Sequence, residues 1–241
     1  MDPQTAAKAS ATAVSRVASH FMLDGATYKK GAELGFQGFD FYAAGRGGVL
    51  GDVDADVVAA AFTFFEPGYL RSQWEAGRAV MSADESARAW AGCGADWAEE
   101  HIPDDLDAPA LAALLDEVVA TARPACAAVF GGWRALAVPR SPKAHVLHQM
   151  NALRELRQGL HGASVVAAGL TPLEALSLAT PGMVPVFGWT EPADTSDVGP
   201  RWDEAEAATN VAMGHAYAGL DEARRDELVE RVRELHGATA G

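Results

Sequence analysis

The chain has 241 residues, 50 of them Ala and one of them Ile, and a formal net charge of −14. A pI near 4.8 argues against binding a phosphate backbone, which needs a cationic face. With 49% hydrophobic residues the chain can bury a sizeable core, so wholesale disorder is excluded.

There is no run of 18 apolar residues to form a membrane-spanning helix. The N-terminus lacks a basic stretch followed by an apolar one, so no secretory signal is expected. The two cysteines, Cys93 and Cys126, make neither a disulfide framework nor a zinc site. Both lie in apolar, Ala-rich surroundings that predict buried, inert thiols. A reducing cytoplasm is the expected location.

Ala is the best helix former, and β-branched residues other than Val are sparse. The single Ile and the 15 Arg against 4 Lys also reflect codon bias of a GC-rich genome. No segment alternates apolar and polar residues between hairpin turns. The predicted class is all-α, a bundle of nine to eleven helices without a substantial sheet.

Residues 4–23 form the first amphipathic helix, with Val14, Val17 and Phe21 at helical spacing. Short helices follow near 26–34 and 37–46. Gly45 to Asp52 contains four Gly and reads as a turn. Asp54 caps a helix predicted to run through Phe65, and Pro67 starts the next. Ser82 to Glu85 is a capping box that opens a helix to about His101, whose Trp90, Cys93 and Trp97 share a core face. Asp107 caps a helix over 108–122, and Pro124 to Pro142 is mixed, with at most one short helix. A strong helix spans His145 to Leu160, and Thr171 to Glu174 is a second capping box. Thr180 to Pro200 holds four Pro and three Gly and reads as a loop. Helices over 201–217 and 221–237 close the chain, the last ending at Gly237. The predicted organisation is a helical domain over 1–187, a linker over 188–200, and a C-terminal hairpin over 201–241 packed on the same domain.

No phosphate-binding loop, dinucleotide fingerprint, zinc-protease helix or nucleophile elbow occurs. Gly45-Arg46-Gly47-Gly48 is too short to cradle a phosphate. The best cluster for chemistry is His145, His148, Arg154, Glu155 and His161. His148 and Glu155 stand two helical turns apart on one face. An imidazole exchanges protons near neutral pH, and a carboxylate or guanidinium tunes it. Tyr42 and Arg46, at i and i+4, form a second candidate pair, with Arg suited to a ligand oxyanion. Phe62, Phe64 and Phe65 cannot all face one core, so at least one is expected to line a cavity or an interface. His20 sits beside the apolar end of the first helix. His145 and His148 lack further ligands in a metal-binding pattern, so no metal is predicted.

Three stretches carry a family resemblance. FDFYAAGRGGVLG (39–51), followed by VVAAAFTFFEP (57–67), resembles the Tyr-x-x-x-Arg turn and aromatic segment of a mainly actinobacterial helix-turn-helix family. HQMNALRELRQGLHGASVVAAGLTPLEAL (148–176) is similar to its central pattern, and Asp203 to Leu235 to its closing helices. The resemblance implies functional positions at Tyr42, Arg46, His148, Arg154, Glu155 and His161. It also implies a winged helix-turn-helix after Gly188-Trp189, but here only 12 residues separate Trp189 from Trp202, so that module is expected to be missing. Phe64, Glu66 and Leu156 replace polar residues of the family pattern and imply a more apolar pocket.

The leading expectation is a cofactor-independent acid–base enzyme acting on a small organic molecule, of the cyclase, isomerase or dehydratase kind found in secondary metabolism. His148, His161 and Glu155 would be catalytic. Tyr42, Arg46, Phe64, Phe65, Arg154 and His20 would contact substrate. The alternative is a non-catalytic, sensor-like protein that binds a small molecule. No cofactor, nucleic acid or membrane partner is expected; a homodimer is compatible with the surplus of apolar helix surface. A DNA-binding regulator would need a basic recognition helix, and the Arg residues of the last helix are interleaved with six acidic residues between Asp221 and Glu234.

Overall fold

A computed structural model describes residues 1–239. It contains twelve α-helices and two short 3-10 turns, with no strand among the described residues. The helices are α1 (Pro3–Leu23), α2 (Gly25–Leu34), α3 (Phe39–Gly47), α4 (Ala55–Ala61), α5 (Pro67–Val80), α6 (Ala83–His101), α7 (Ala108–Thr121), α8 (Ala128–Arg134), α9 (Pro142–Ala167), α10 (Pro172–Ala179), α11 (Gly199–Tyr217) and α12 (Glu222–Thr239). The class is all-α, as the sequence predicts. The count exceeds the predicted range by one, and the short helix allowed for in the Pro- and Gly-bracketed stretch forms as α8, seven residues long.

Side-chain caps set many of the starts. Asp2, Asp24, Asp54 and Asp107 accept from the first free backbone N–H groups of α1, α2, α4 and α7. Ser82 and Thr171 form complete capping boxes with Glu85 and Glu174. No single helix among the described residues is long and apolar enough to cross a membrane.

Helix α9 runs through the middle of the bundle and touches α1, α6, α7, α8 and α11. Thirteen of its 26 residues are buried, which is why it shows no clean polar face. α1 packs between α11 and α12, and α3 is wedged between α5 and α6. One large apolar core joins these helices. A smaller one, with Phe64, Val165, Leu170, Ala175, Val198 and Ala205, lies where α9, α10 and α11 meet.

Four local expectations are corrected. Gly45 to Asp52 is not a turn. α3 continues through Gly47 into a 3-10 segment, and Gly45 packs so tightly on Trp90 that a Cβ would meet the Trp90 Cβ at 2.7 Å. The helix from Asp54 stops at Ala61, and residues 62–65 turn, so the three Phe point in different directions. The final helix runs past Gly237 to Thr239.

The fourth correction concerns α9, which continues past Leu160 to Ala167 despite Gly159 and Gly162. At Gly159 the backbone of Cys126 and Ala127 lies so close that a Cβ would meet the Cys126 carbonyl oxygen at 2.5 Å. Ala would raise intrinsic helix stability here by up to about 1 kcal/mol. The contact reverses that sign, and Gly159→Ala is expected to destabilise the fold by about 1–3 kcal/mol. A gain in the urea unfolding midpoint would show that the 122–127 loop is free to move away.

Candidate ligand pocket

Two helices distant in sequence build the site. α3 carries Tyr42 and Arg46 one turn apart, and α9 carries Arg154 and Glu155. Arg46 is 2% exposed and Glu155 is 1% exposed. Arg46 holds the carboxylate with two parallel bonds, Nε to Oε1 at 2.8 Å and Nη2 to Oε2 at 2.7 Å. Its Nη1 donates to the Tyr42 hydroxyl at 3.3 Å, and the guanidinium lies 4.1 Å from the Phe62 ring centroid. Arg154 donates to Glu155 Oε1 at 2.6 Å and to Ser19 Oγ at 3.1 Å.

Burial pushes the Glu155 carboxyl up, but Arg46 and Arg154 outweigh that and hold it below the usual carboxylate range. Burial likewise lowers the Arg46 guanidinium, and Glu155 with Tyr42 more than restores it. The cluster therefore holds two guanidinium cations and one carboxylate.

Arg46 and Glu155 lie at the wall of a cavity of about 590 Å³. Its other walls come from α4 (Val57, Ala60), Thr63, Cys126 of the loop after α7, Val129 of α8 and Gly159 of α9. They are mostly small and apolar. Asp56 also borders the cavity, and its carboxylate is paired with Arg71. Cys126 corrects the prediction of a buried thiol: it is exposed, with φ +62°. Cys93 is buried, and burial pushes its thiol up to about 11.

The remaining candidates are dispersed. His148 is 5% exposed, packs against Trp133 with ring centroids 5.2 Å apart, and does not border the cavity. Burial takes its pKa down to about 4, with His145 adding to the effect and Asp116 opposing it. His161 faces away toward α11. Its Nδ1 lies 3.1 Å from Thr209 Oγ1 and 3.3 Å from Glu206, between Phe64 and Trp202. Burial lowers its pKa, with Glu206 opposing and Arg157 assisting. His20 stacks on Trp97 at 5.3 Å and does not border the cavity.

None of the three Phe borders the cavity. Phe62 and Phe65 lie in the main core, Phe65 stacked on Phe187 at 4.3 Å, and Phe64 lies in the smaller core. Of the predicted site residues, the structure thus brings together Tyr42, Arg46, Arg154 and Glu155, but not His148, His161, His20, Phe64 or Phe65. The cavity residues that sequence reading passed over, such as Ala60, Thr63 and Gly159, are small and carry no chemical signal of their own. Among the described residues, no three His, Cys, Asp or Glu side chains group so as to hold a metal.

After Trp189, residues 190–198 form a loop that leads into α11, and it holds no strand. No curated protein and no solved structure matches the chain. A family model described as a helix-turn-helix family matches residues 7–195, well over half of the sequence. The chain belongs to this helix-turn-helix family.

Proposed function

We propose that the protein binds a small, largely apolar organic molecule in the cavity beneath α4 and releases it unchanged. The observation that carries this reading is the cavity itself, about 590 Å³, apolar in most of its lining and ending on the Arg46–Glu155 pair. That volume lies within the range of small-molecule sites, which pair apolar walls with a few convergent polar groups. An acid–base reaction would need a proton-exchanging group at the wall. His148 and His161 stand elsewhere, and Glu155 is held ionised by two guanidinium groups. This favours the binding reading over the enzymatic one.

Surface charge favours it over DNA binding too. On α12, Arg224 pairs with Glu117, Arg231 with Glu227, and Arg225 and Arg233 donate to backbone carbonyls. Glu222, Asp226, Glu227, Glu230 and Glu234 stand among these Arg on the same helix and offset their field, so the helix offers no continuous cationic stripe to a phosphate backbone.

The neutral fluorescent probe N-phenyl-1-naphthylamine tests the reading. Wild-type protein is expected to enhance its emission saturably with one site per chain. Ala60→Trp, which fills the cavity from an exposed position on α4, is expected to abolish that site without changing the circular dichroism. Equal enhancement by both proteins would place the probe elsewhere and overturn the reading. Recovery of chemically altered probe would overturn its non-catalytic part.

A further inference from the structure

We infer that the ligand of this cavity is an organic monoanion, a carboxylate joined to an apolar body. The inference rests on the reading that the cavity binds a small molecule, and it adds the charge and the anchoring group.

Charge balance is the first argument. Arg46 and Arg154 contribute two positive charges and Glu155 one negative charge. Arg154 has Ser19 as its other partner, which is neutral. The other acid that borders the cavity, Asp56, is already paired with Arg71. The cluster therefore keeps one uncompensated positive charge, on Arg154, whose side chain is 15% exposed and is joined to the cavity wall through Glu155. Such a charge is costly to leave alone and attracts an anion more strongly than it would at a surface.

Donor count is the second argument. A guanidinium has five N–H groups. Arg46 uses three of them, one on Nε toward Glu155, one on Nη1 toward Tyr42 and one on Nη2 toward Glu155. One N–H on each terminal nitrogen has no partner among the described residues, and Arg46 borders the cavity. Two N–H groups on neighbouring nitrogens match the two oxygens of a carboxylate. An amine would meet like charge there, and an alcohol would use at most one donor well. The apolar walls then take the rest of the ligand.

Three molecules of one skeleton separate these cases: 4-phenylbutanoate, 4-phenylbutan-1-ol and 4-phenylbutylamine, each used to displace N-phenyl-1-naphthylamine. The carboxylate is expected to displace the probe at a concentration about tenfold to a hundredfold below that of the alcohol, as a hydrogen-bonded ion pair predicts. The amine is expected to be weakest. Arg154→Gln removes the surplus charge and leaves the Arg46–Glu155 pair in place, so it should narrow the carboxylate-to-alcohol ratio. The double variant Arg46→Gln with Glu155→Gln removes the paired donors while Arg154 keeps the surplus charge, so it should narrow that ratio without bringing it to one; if it fails to fold, Arg154→Gln decides. Equal displacement by carboxylate and alcohol in the wild type, or preference for the amine, overturns the inference while the binding reading stands. A wild-type ratio unchanged in Arg154→Gln overturns the charge argument. Absence of a saturable probe site in the wild type overturns both.

Discussion

Replacing Glu155 with Ala is expected to cost about 3–5 kcal/mol of stability, because it leaves the Arg46 guanidinium buried without its counter-charge. In a chain of this length that corresponds to a fall in Tm of about 6–20 °C. Arg154 loses its partner in the same substitution, which adds to the loss. The double variant Arg46→Leu with Glu155→Leu is the informative comparison. Buried ion pairs are often replaceable by apolar side chains at little cost, since the pair has already given up its hydration. If the double variant is nearly as stable as the wild type while Glu155→Ala is not, the pair is retained for what it presents to the cavity and not for stability. A loss below about 1 kcal/mol in Glu155→Ala would show that water or a neighbouring group already compensates Arg46. Urea unfolding followed by circular dichroism measures both variants.

Stability is expected to fall as the pH is lowered from 7 to 4, and His148 is the largest single cause among the histidines. Its ring is neutral in the fold because burial depresses its pKa to about 4, against about 6.5 in the unfolded chain. Between those values the unfolded chain binds the proton and the folded one does not. Stability therefore rises with pH across the window and is lost as pH falls through it. The difference amounts to about 3 kcal/mol at pH 4. Burial lowers His20 and His161 as well, so they act in the same direction. His148→Phe keeps an aromatic ring beside Trp133 and removes the proton site. The variant should show a markedly shallower pH dependence between 7 and 4, whatever its absolute stability. Identical slopes in the two proteins would mean that His148 titrates normally and is more open to water than its packing shows.

His148 also illustrates how sequence and structure part company at the site. Two helical turns of spacing place His148 and Glu155 on one face of α9, and the sequence supports treating them as a unit. The bundle divides that face among several neighbours. Glu155 meets α3, whereas His148 meets Trp133 of α8. His161, six residues after Glu155 and on another side of the helix, turns to α11. Spacing along one helix says which residues share a side; it does not say which neighbouring helix each of them reaches.

Arg46 shows the opposite case. As Gly-Arg-Gly-Gly it looks like an exposed turn, and a surface pair with Tyr42 is the plain expectation. The small residues instead let α3 sink between α5 and α6, and Arg46 becomes one of the most deeply buried side chains in the molecule. Its partner lies 109 positions along the chain, beyond the reach of any local pattern. Cys126 departs from its expected burial for the same reason, since its Ala-rich neighbours are apolar by composition but stand at the rim of a cavity.

The sequence by itself determined the helical class, the capped starts of α4, α6, α7 and α10, the core face of α6 and the family. These depend on hydrogen bonds and periodicities that act over one or two turns, so a local reading captures them. The tertiary structure alone decided that α9 continues through Gly159, that the three Phe divide between two cores, and that Arg46 meets Glu155. It also decided that the histidines lie apart from the cavity. Each of these is set by contacts between segments distant in the chain, where burial changes a side chain's energetics and one helix has several neighbours among which to distribute its residues.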